Sequence, residues 1–374
     1  EKQNADRLAQ EAQSKFGHIK YWERLRPEAE DPMNYISGEA CDHYHRVDED
    51  VALMSDLGLD VYRFSIAWPR VLPTGMGTVN QPGIDFYDRL VDRLLDHGIR
   101  PVATLYHWDL PQALDDRGGW LNRDVAAWFE EYTAVSVGAL GDRVKHWTTL
   151  NEPWCSSILS YSIGNHAPGH HDTLEGMIAA HHLMLAHGTA VPVIRELCPD
   201  GEASITLNPT YVWGPENGDE HDADAVRRAD NALNGLFFGP IFHGAYPDGM
   251  IEDTAHLTDH AFIQDGDLET ISAPLDNLGV NNYFPTRVRA ARRRGRQQPH
   301  ARLRRRHRTR AAGPAHRDGL GAVAQEPPVD HRAVRPRERP ADLHHRERRR
   351  LGGHRVGRRR GARPRAGQLP ARAP

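Results

Sequence analysis

Cysteine is scarce in this chain. Its 374 residues include three, Cys41, Cys155 and Cys198, odd in number and far apart. That excludes a disulfide-stapled scaffold and offers no metal-ligand spacing, so free thiols in a reducing, cytoplasmic setting are expected. No apolar run reads as a membrane span and no secretory leader opens the sequence, so no membrane partner is expected. No G-x-G-x-x-G follows a strand-like run, which removes the usual dinucleotide fingerprint. The most informative absence is local. From Arg287 to the end there is no Lys, Phe, Tyr or Trp, and 28 Arg stand against 6 Asp or Glu. That part carries a formal +22 and the rest −26, which is how a total of only −4 arises. An acidic globular composition is followed by one that is not globular.

What is present before Arg287 alternates between strand and helix patterns. His146-Trp147-Thr148-Thr149-Leu150 reads as a buried strand that stops at Asn151-Glu152, where Pro153 has no N–H to extend the pairing. Upstream, Asp48 is a candidate N-cap for a helix carrying Val51, Met54 and Leu57 on one face and closed by Gly58. A strand is expected over Val61–Trp68, a Gly- and Pro-rich loop through Gly83, a helix over 84–97 and a strand over Val102–Tyr106. Further helices are expected over 123–140, 173–197 and 222–238, with strands at Ala203–Asn208 and Leu278–Tyr283. A helix is also possible over Asn4–Lys15. Strands separated by helices, with polar residues gathered where strands end, predict a parallel sheet, as in an α/β barrel or an open doubly wound sheet.

Four stretches carry a family resemblance: Arg63-Phe64-Ser65-Ile66-Ala67-Trp68-Pro69-Arg70, Tyr106-His107-Trp108-Asp109-Leu110-Pro111-Gln112, Thr149-Leu150-Asn151-Glu152-Pro153 and Gly279-Val280-Asn281-Asn282-Tyr283-Phe284. Together, and in this order, they resemble glycoside hydrolase family 1, with bacterial β-glucosidases the nearest in wording. Cys41-Asp42-His43-Tyr44 and His166-Ala167-Pro168-Gly169 also fit. The resemblance covers roughly residues 38–289. It implies a (β/α)8 TIM barrel that hydrolyses β-glycosides with retention, here incomplete: strands two to six are recognisable, the first, seventh and eighth are not. It divides the chain into an unmatched segment (1–38), a partial barrel domain (39–289) and an Arg-rich tail (290–374).

The resemblance also implies roles. Glu152 is the expected general acid/base, a task that needs a carboxyl able to carry a proton near neutral pH. Asn151 is expected to hold the sugar 2-OH and His107 the 3-OH, with Trp108 beside it. Arg63 and Tyr283 are expected to orient and charge-balance the nucleophile. Read singly, each has a plainer account: His107 a core histidine, Trp108 core packing, Arg63 half of an ion pair, Tyr283 a strand aromatic. The implied substrates are small β-glucosides or cello-oligosaccharides, and no metal or organic cofactor is called for.

Two departures stand out. The family's first strand, with a sugar-gripping glutamine, has no match in residues 1–38. The family's nucleophile lies in an Ile-Thr-Glu-Asn-Gly strand that the chain as written lacks. The tail's composition fits a GC-rich gene read out of frame. His344-His345-Arg346-Glu347-Arg348 followed by Arg349 permits the codons CAT CAC CGA GAA CGG C, and reading from the second base gives Ile-Thr-Glu-Asn-Gly. The same shift across Asp318-Gly319-Leu320-Gly321 permits Met-Gly-Trp, another family motif, upstream of the first. Such a tail is expected to be poorly packed, since it cannot bury enough apolar surface to offset chain entropy. The alternative class is a catalytically dead barrel fragment whose basic arm binds polyanions. Its affinity would fall steeply with salt, but the arm has no aromatic residue to stack on bases, so nucleic acid is not the expected partner.

Overall fold

A computed structural model describes residues 40–291. The expectations for residues 1–38, including the helix at 4–15, and for the tail from residue 292 onward lie outside the described residues.

Five strands form one parallel sheet: β1 Val61–Ser65, β2 Arg100–Tyr106, β3 His146–Asn151, β4 Glu202–Leu207 and, after a short strand β5 at Val212–Trp213, β6 Asn277–Val280. Their order is β1-β2-β3-β4-β6, so each strand lies beside the next one added to the sheet. β5 pairs in parallel with β7, Thr286–Arg287, as a separate two-stranded ribbon. The longer helices are α1 Val47–Asp56, ahead of β1, and then α2 Gln81–Asp96, α3 Val125–Leu140, α4 Thr173–Leu197, α5 Glu220–Asp230 and α6 Leu236–His243 between the strands. This succession of parallel strands joined through helices is what a barrel wall is built from.

Alternation along the strands separates two faces. Ala103 and Leu105 of β2, Trp147 of β3 and Ala203 and Ile205 of β4 are buried in the apolar layer shared with the helices. The other face is polar: Thr104, Thr148 and Ser204 are buried and lie opposite one another in register, and Thr148 Oγ1 and Ser204 Oγ are 2.9 Å apart. A sheet lined with hydroxyls on its inner face is suited to hold polar side chains at its ends.

Several expectations shift. β1 stops at Ser65, because Pro69 opens a short helical turn, Trp68–Val71, in which a proline at the start is tolerated. α2 begins at Gln81 rather than 84, with Pro82 in its first turn. Gly83 lies within that first turn, and it must be glycine there because a Cβ would stand 2.0 Å from the carbonyl oxygen of Arg70. Asp48 sits inside the first turn of α1, whose cap is Arg46, and Leu57 is exposed. The helix at 222–238 becomes α5, a π-helical stretch Asn231–Gly235 and α6 in succession. β6 ends at Val280, so Tyr283 is in the loop after the strand and not a strand aromatic.

One helix overturns the reading of apolar runs. α4 is 25 residues long and apolar enough by length and composition to cross a membrane. It is nevertheless mostly buried within the protein, against α3 and the chain that follows β3. Three histidines on it, His181, His182 and His187, are buried with it. Asp172 caps its start by accepting from the N–H groups of Leu174 and Glu175.

Candidate active site

The ends of β1, β2, β3 and β6 meet at Glu152. β3 carries an irregularity: the register against β4 shifts between Thr148 and Asn151, so that Asn151 lies opposite Thr206. Such a bulge re-aims the side chains beyond it. Glu152 then turns into the left-handed region, φ 50°, with its N–H donating to Thr206 O at 2.8 Å. Trp108, just past the end of β2, does the same at φ 81°. Positive φ is disfavoured for residues with a Cβ, and in enzymes it gathers where side chains must be held in a set direction.

Glu152 is 5% exposed, and its carboxylate is held on both oxygens. Oε1 accepts from Asn281 Nδ2 at 2.5 Å and from the Tyr283 hydroxyl at 3.2 Å. Oε2 accepts from the Cys155 thiol at 3.2 Å. Asn151, 1% exposed, accepts at Oδ1 from Arg63 Nη2 at 2.8 Å and from Asn281 Nδ2 at 3.2 Å. Arg63 Nε donates to Thr104 Oγ1 at 2.8 Å. The Trp108 indole N–H donates to the carbonyl of Asn151 at 2.9 Å. His107 Nδ1 lies 2.8 Å from Ser65 Oγ, and its ring meets Trp108 edge-on at 5.4 Å. All six residues singled out in the sequence are therefore joined in one network at the C-terminal ends of parallel strands.

Electrostatics follow the same layout. The Glu152 charge raises the Tyr283 phenol above its ordinary value. Burial pushes the Cys155 thiol well up, and its hydrogen bond to Glu152 adds to that. Loss of surrounding water, and then the charge of Arg63, hold His107 below the usual histidine range. Asp109 exerts its charge on Tyr87, Tyr106 and Tyr132, the phenols of the core below. That makes it a neighbour of the core phenols and gives no reason to read it as a partner carboxylate for Glu152.

The pattern of glycosyl hydrolase family 1 matches residues 20–317, a wider stretch than the 38–289 over which its motifs are legible. The chain belongs to glycosyl hydrolase family 1. Beta-glucosidase A of Thermotoga maritima is 45% identical over 257 residues, 67% of this chain and 57% of that protein. The 1,4-beta-D-glucan glucohydrolase of Thermotoga neapolitana is 44% identical over 67% of this chain and 60% of its own length. Among solved structures, the psychrophilic beta-glucosidase of Micrococcus antarcticus is 50% identical with a TM-score of 0.65, over 69% of this chain and 55% of that one. A Thermotoga maritima beta-glucosidase in complex with castanospermine is 44% identical, TM-score 0.63, over 67% and 56%. The chain thus spans a little over half the length of these relatives. Among the described residues, the five-stranded parallel sheet with flanking helices is an incomplete form of the family's (β/α)8 barrel.

For this family member the sequence reading left three contacts out. Asn281 was inside a quoted motif but had no role, because an amide bridging two neighbours is visible only once β6 lies beside β4. Cys155 follows Glu152 by one turn, a spacing that by itself signals nothing. His166 packs against Trp108 with ring centroids 5.3 Å apart, bringing the Gly- and His-rich loop to the rim of the site. Arg63 and Tyr283, expected beside a nucleophile, are here joined to Asn151 and Glu152.

Proposed function

We propose that this chain derives from a retaining β-glucosidase acting on small β-D-glucosides or cello-oligosaccharides, with Glu152 as its general acid/base. The observation that carries this is the Glu152 carboxyl itself, buried at the end of a barrel strand beside Asn151, with Asn281 and Tyr283 converging on it from beyond β6. In such a reaction Glu152 protonates the leaving oxygen and then takes a proton from the attacking water. Asn151 supplies an amide to the sugar 2-OH, and His107 and Trp108 meet its neighbouring hydroxyls. The names of the relatives, beta-glucosidases and a 1,4-beta-D-glucan glucohydrolase, support the substrate class.

A retaining site needs a second carboxyl about 5–5.5 Å from the first. In our reading the chain as written does not supply it: the nucleophile glutamate is encoded in the shifted frame of residues 344–348, and this chain is inactive until the frame is restored. Two experiments decide the matter. The nucleotide sequence across codons 286–352 should read through Met-Gly-Trp to Ile-Thr-Glu-Asn-Gly in the shifted frame. The frame-restored protein should hydrolyse an aryl β-glucoside and lose that activity on Glu152→Gln. Codons that cannot yield these motifs would remove the frameshift, and a restored protein without hydrolysis would remove the β-glucosidase reading.

A further inference from the structure

The Cys155 thiol has a defined direction. It lies on a π-helical stretch, Cys155–Ser162, that begins straight after Pro153-Trp154, and its N–H donates to the Glu152 carbonyl at 2.9 Å. That i→i−3 turn, ahead of the π-helical stretch, sets the Cys155 side chain beside the Glu152 carboxyl. Sγ approaches Glu152 Oε2 at 3.2 Å, while Asn208 Nδ2, beyond the end of β4, points its N–H at the same sulfur from 4.0 Å. A thiol has one hydrogen. With the Asn208 amide on the lone-pair side, that hydrogen is directed at Oε2. Cys155 is 6% exposed, so water does not compete for the contact.

We propose that Cys155 is a positioning residue for Glu152: its S–H holds Oε2 while Asn281 and Tyr283 hold Oε1, so the carboxyl cannot rotate without breaking contacts on both oxygens. This rests on the reading of Glu152 as the acid/base. Without the thiol, Oε1 remains anchored, but Oε2, the oxygen with the single weak donor, loses its fixed direction. A proton donor loses rate when its angle to the leaving oxygen wanders, even if the sugar binds as before.

The contact can be tested on the chain as it stands, without catalysis. The S–H stretching band in the infrared moves to lower wavenumber when a thiol donates a hydrogen bond, and it needs no reagent to reach the buried sulfur. The Cys155 band, assigned by its loss in Cys155→Val, should lie below that of exposed Cys41 and should move up in Glu152→Ala, which removes the acceptor. Cys198, buried and bonded to the Gly141 carbonyl, serves as the control and should not change. A Cys155 band unmoved in Glu152→Ala overturns the contact. The role is tested in the frame-restored protein on an alkyl β-glucoside, whose leaving group needs protonation. Cys155→Val should lower kcat about tenfold with KM unchanged, and Cys155→Ser, which keeps a donor, should restore most of it. If Cys155→Val leaves kcat intact, or Ser fares no better than Val, the positioning role is wrong. If the Cys155 band moves in Glu152→Ala but the restored protein hydrolyses nothing, the functional reading fails while the contact stands.

Discussion

Arg63 Nη2 donates to Asn151 Oδ1 at 2.8 Å, reaching from β1 to β3 across β2, and its Nε is tied to Thr104 Oγ1 on the strand between. The guanidinium thereby decides which end of the Asn151 amide is which: Oδ1 faces Arg63, and the NH2 end is left free to donate, which under the function proposed above is to a sugar hydroxyl. A lysine has a single ammonium and cannot make both bonds from one fixed plane. In the frame-restored protein, Arg63→Lys should lower kcat/KM for an aryl β-glucoside at least 100-fold, about 2.7 kcal/mol of transition-state stabilisation. A variant keeping a third or more of the activity would show that the amide is oriented by other contacts.

Gly279 lies opposite Thr206 in the β4–β6 register. A Cβ there would stand 2.1 Å from Thr206 Oγ1 and 2.9 Å from its Cβ. Gly279→Ala should therefore force the two strands apart, costing about 1–3 kcal/mol as overpacking does. It should also displace Asn281 and Tyr283, which follow on the same chain. The urea midpoint of this chain should fall, and Thr206→Gly in the same molecule should recover most of the loss. A Gly279→Ala midpoint equal to the parent would mean that the strands yield freely at this level.

These two positions show where the sequence was legible and where it was not. Glu152, Asn151, Arg63, His107, Trp108 and Tyr283 could be singled out because each lies in a run that resembles a motif of the family, and the structure gathers them around Glu152. The helices α3 and α4 were placed closely because their apolar spacing is long and regular. The start of α2 was missed because proline and glycine, read as loop residues, are compatible with a first helical turn. The π-helical stretch after Glu152 was missed because no side-chain pattern marks an extra residue per turn. Asn281 and Cys155 were missed for a different reason: their partners are fixed by which strands become neighbours and by a bulge, neither of which is written in local spacing.

Trp68 is fully buried, stacked on Tyr132 at 5.0 Å between ring centroids, and its indole N–H donates to Gly75 O at 3.0 Å. It closes the apolar layer beneath the turn that ends β1. Trp68→Ala should cost about 3–5 kcal/mol, by the cavity left and the unpaired carbonyl. Trp68→Phe should cost less, since it keeps the stack and loses the hydrogen bond. Urea unfolding of the two variants checks the order; equal losses would mean that the N–H to Gly75 accounts for the whole effect.

Acid should weaken this fold earlier than its carboxylates would. Burial pushes both His182 and His187 down to about 4, so each is neutral in the folded protein at pH values where an unfolded histidine, near 6.5, takes a proton. The sign follows from proton counting. Above pH 6.5 neither state is charged and the full stability is present; between 6.5 and 4 the unfolded chain binds protons that the folded one refuses, and stability falls. Each histidine contributes a slope of up to about 1.4 kcal/mol per pH unit, so the pair gives up to about 2.7. Asp267 acts lower down. Burial opposes its charge, but the Arg123 guanidinium, the Gln264 N–H and His181 together hold its carboxyl at about 2, and the stability it adds above pH 3.8 is lost only as pH falls toward 2. Urea unfolding at pH 7, 5.5 and 4.5 should trace the histidine slope. His187→Asn should flatten it by about one proton, whatever it does to stability at pH 7, because the Nδ1 contact with Thr149 Oγ1 at 2.7 Å is lost at every pH alike. A slope unchanged by that substitution would mean that His187 is already protonated in the folded protein or never becomes exposed on unfolding.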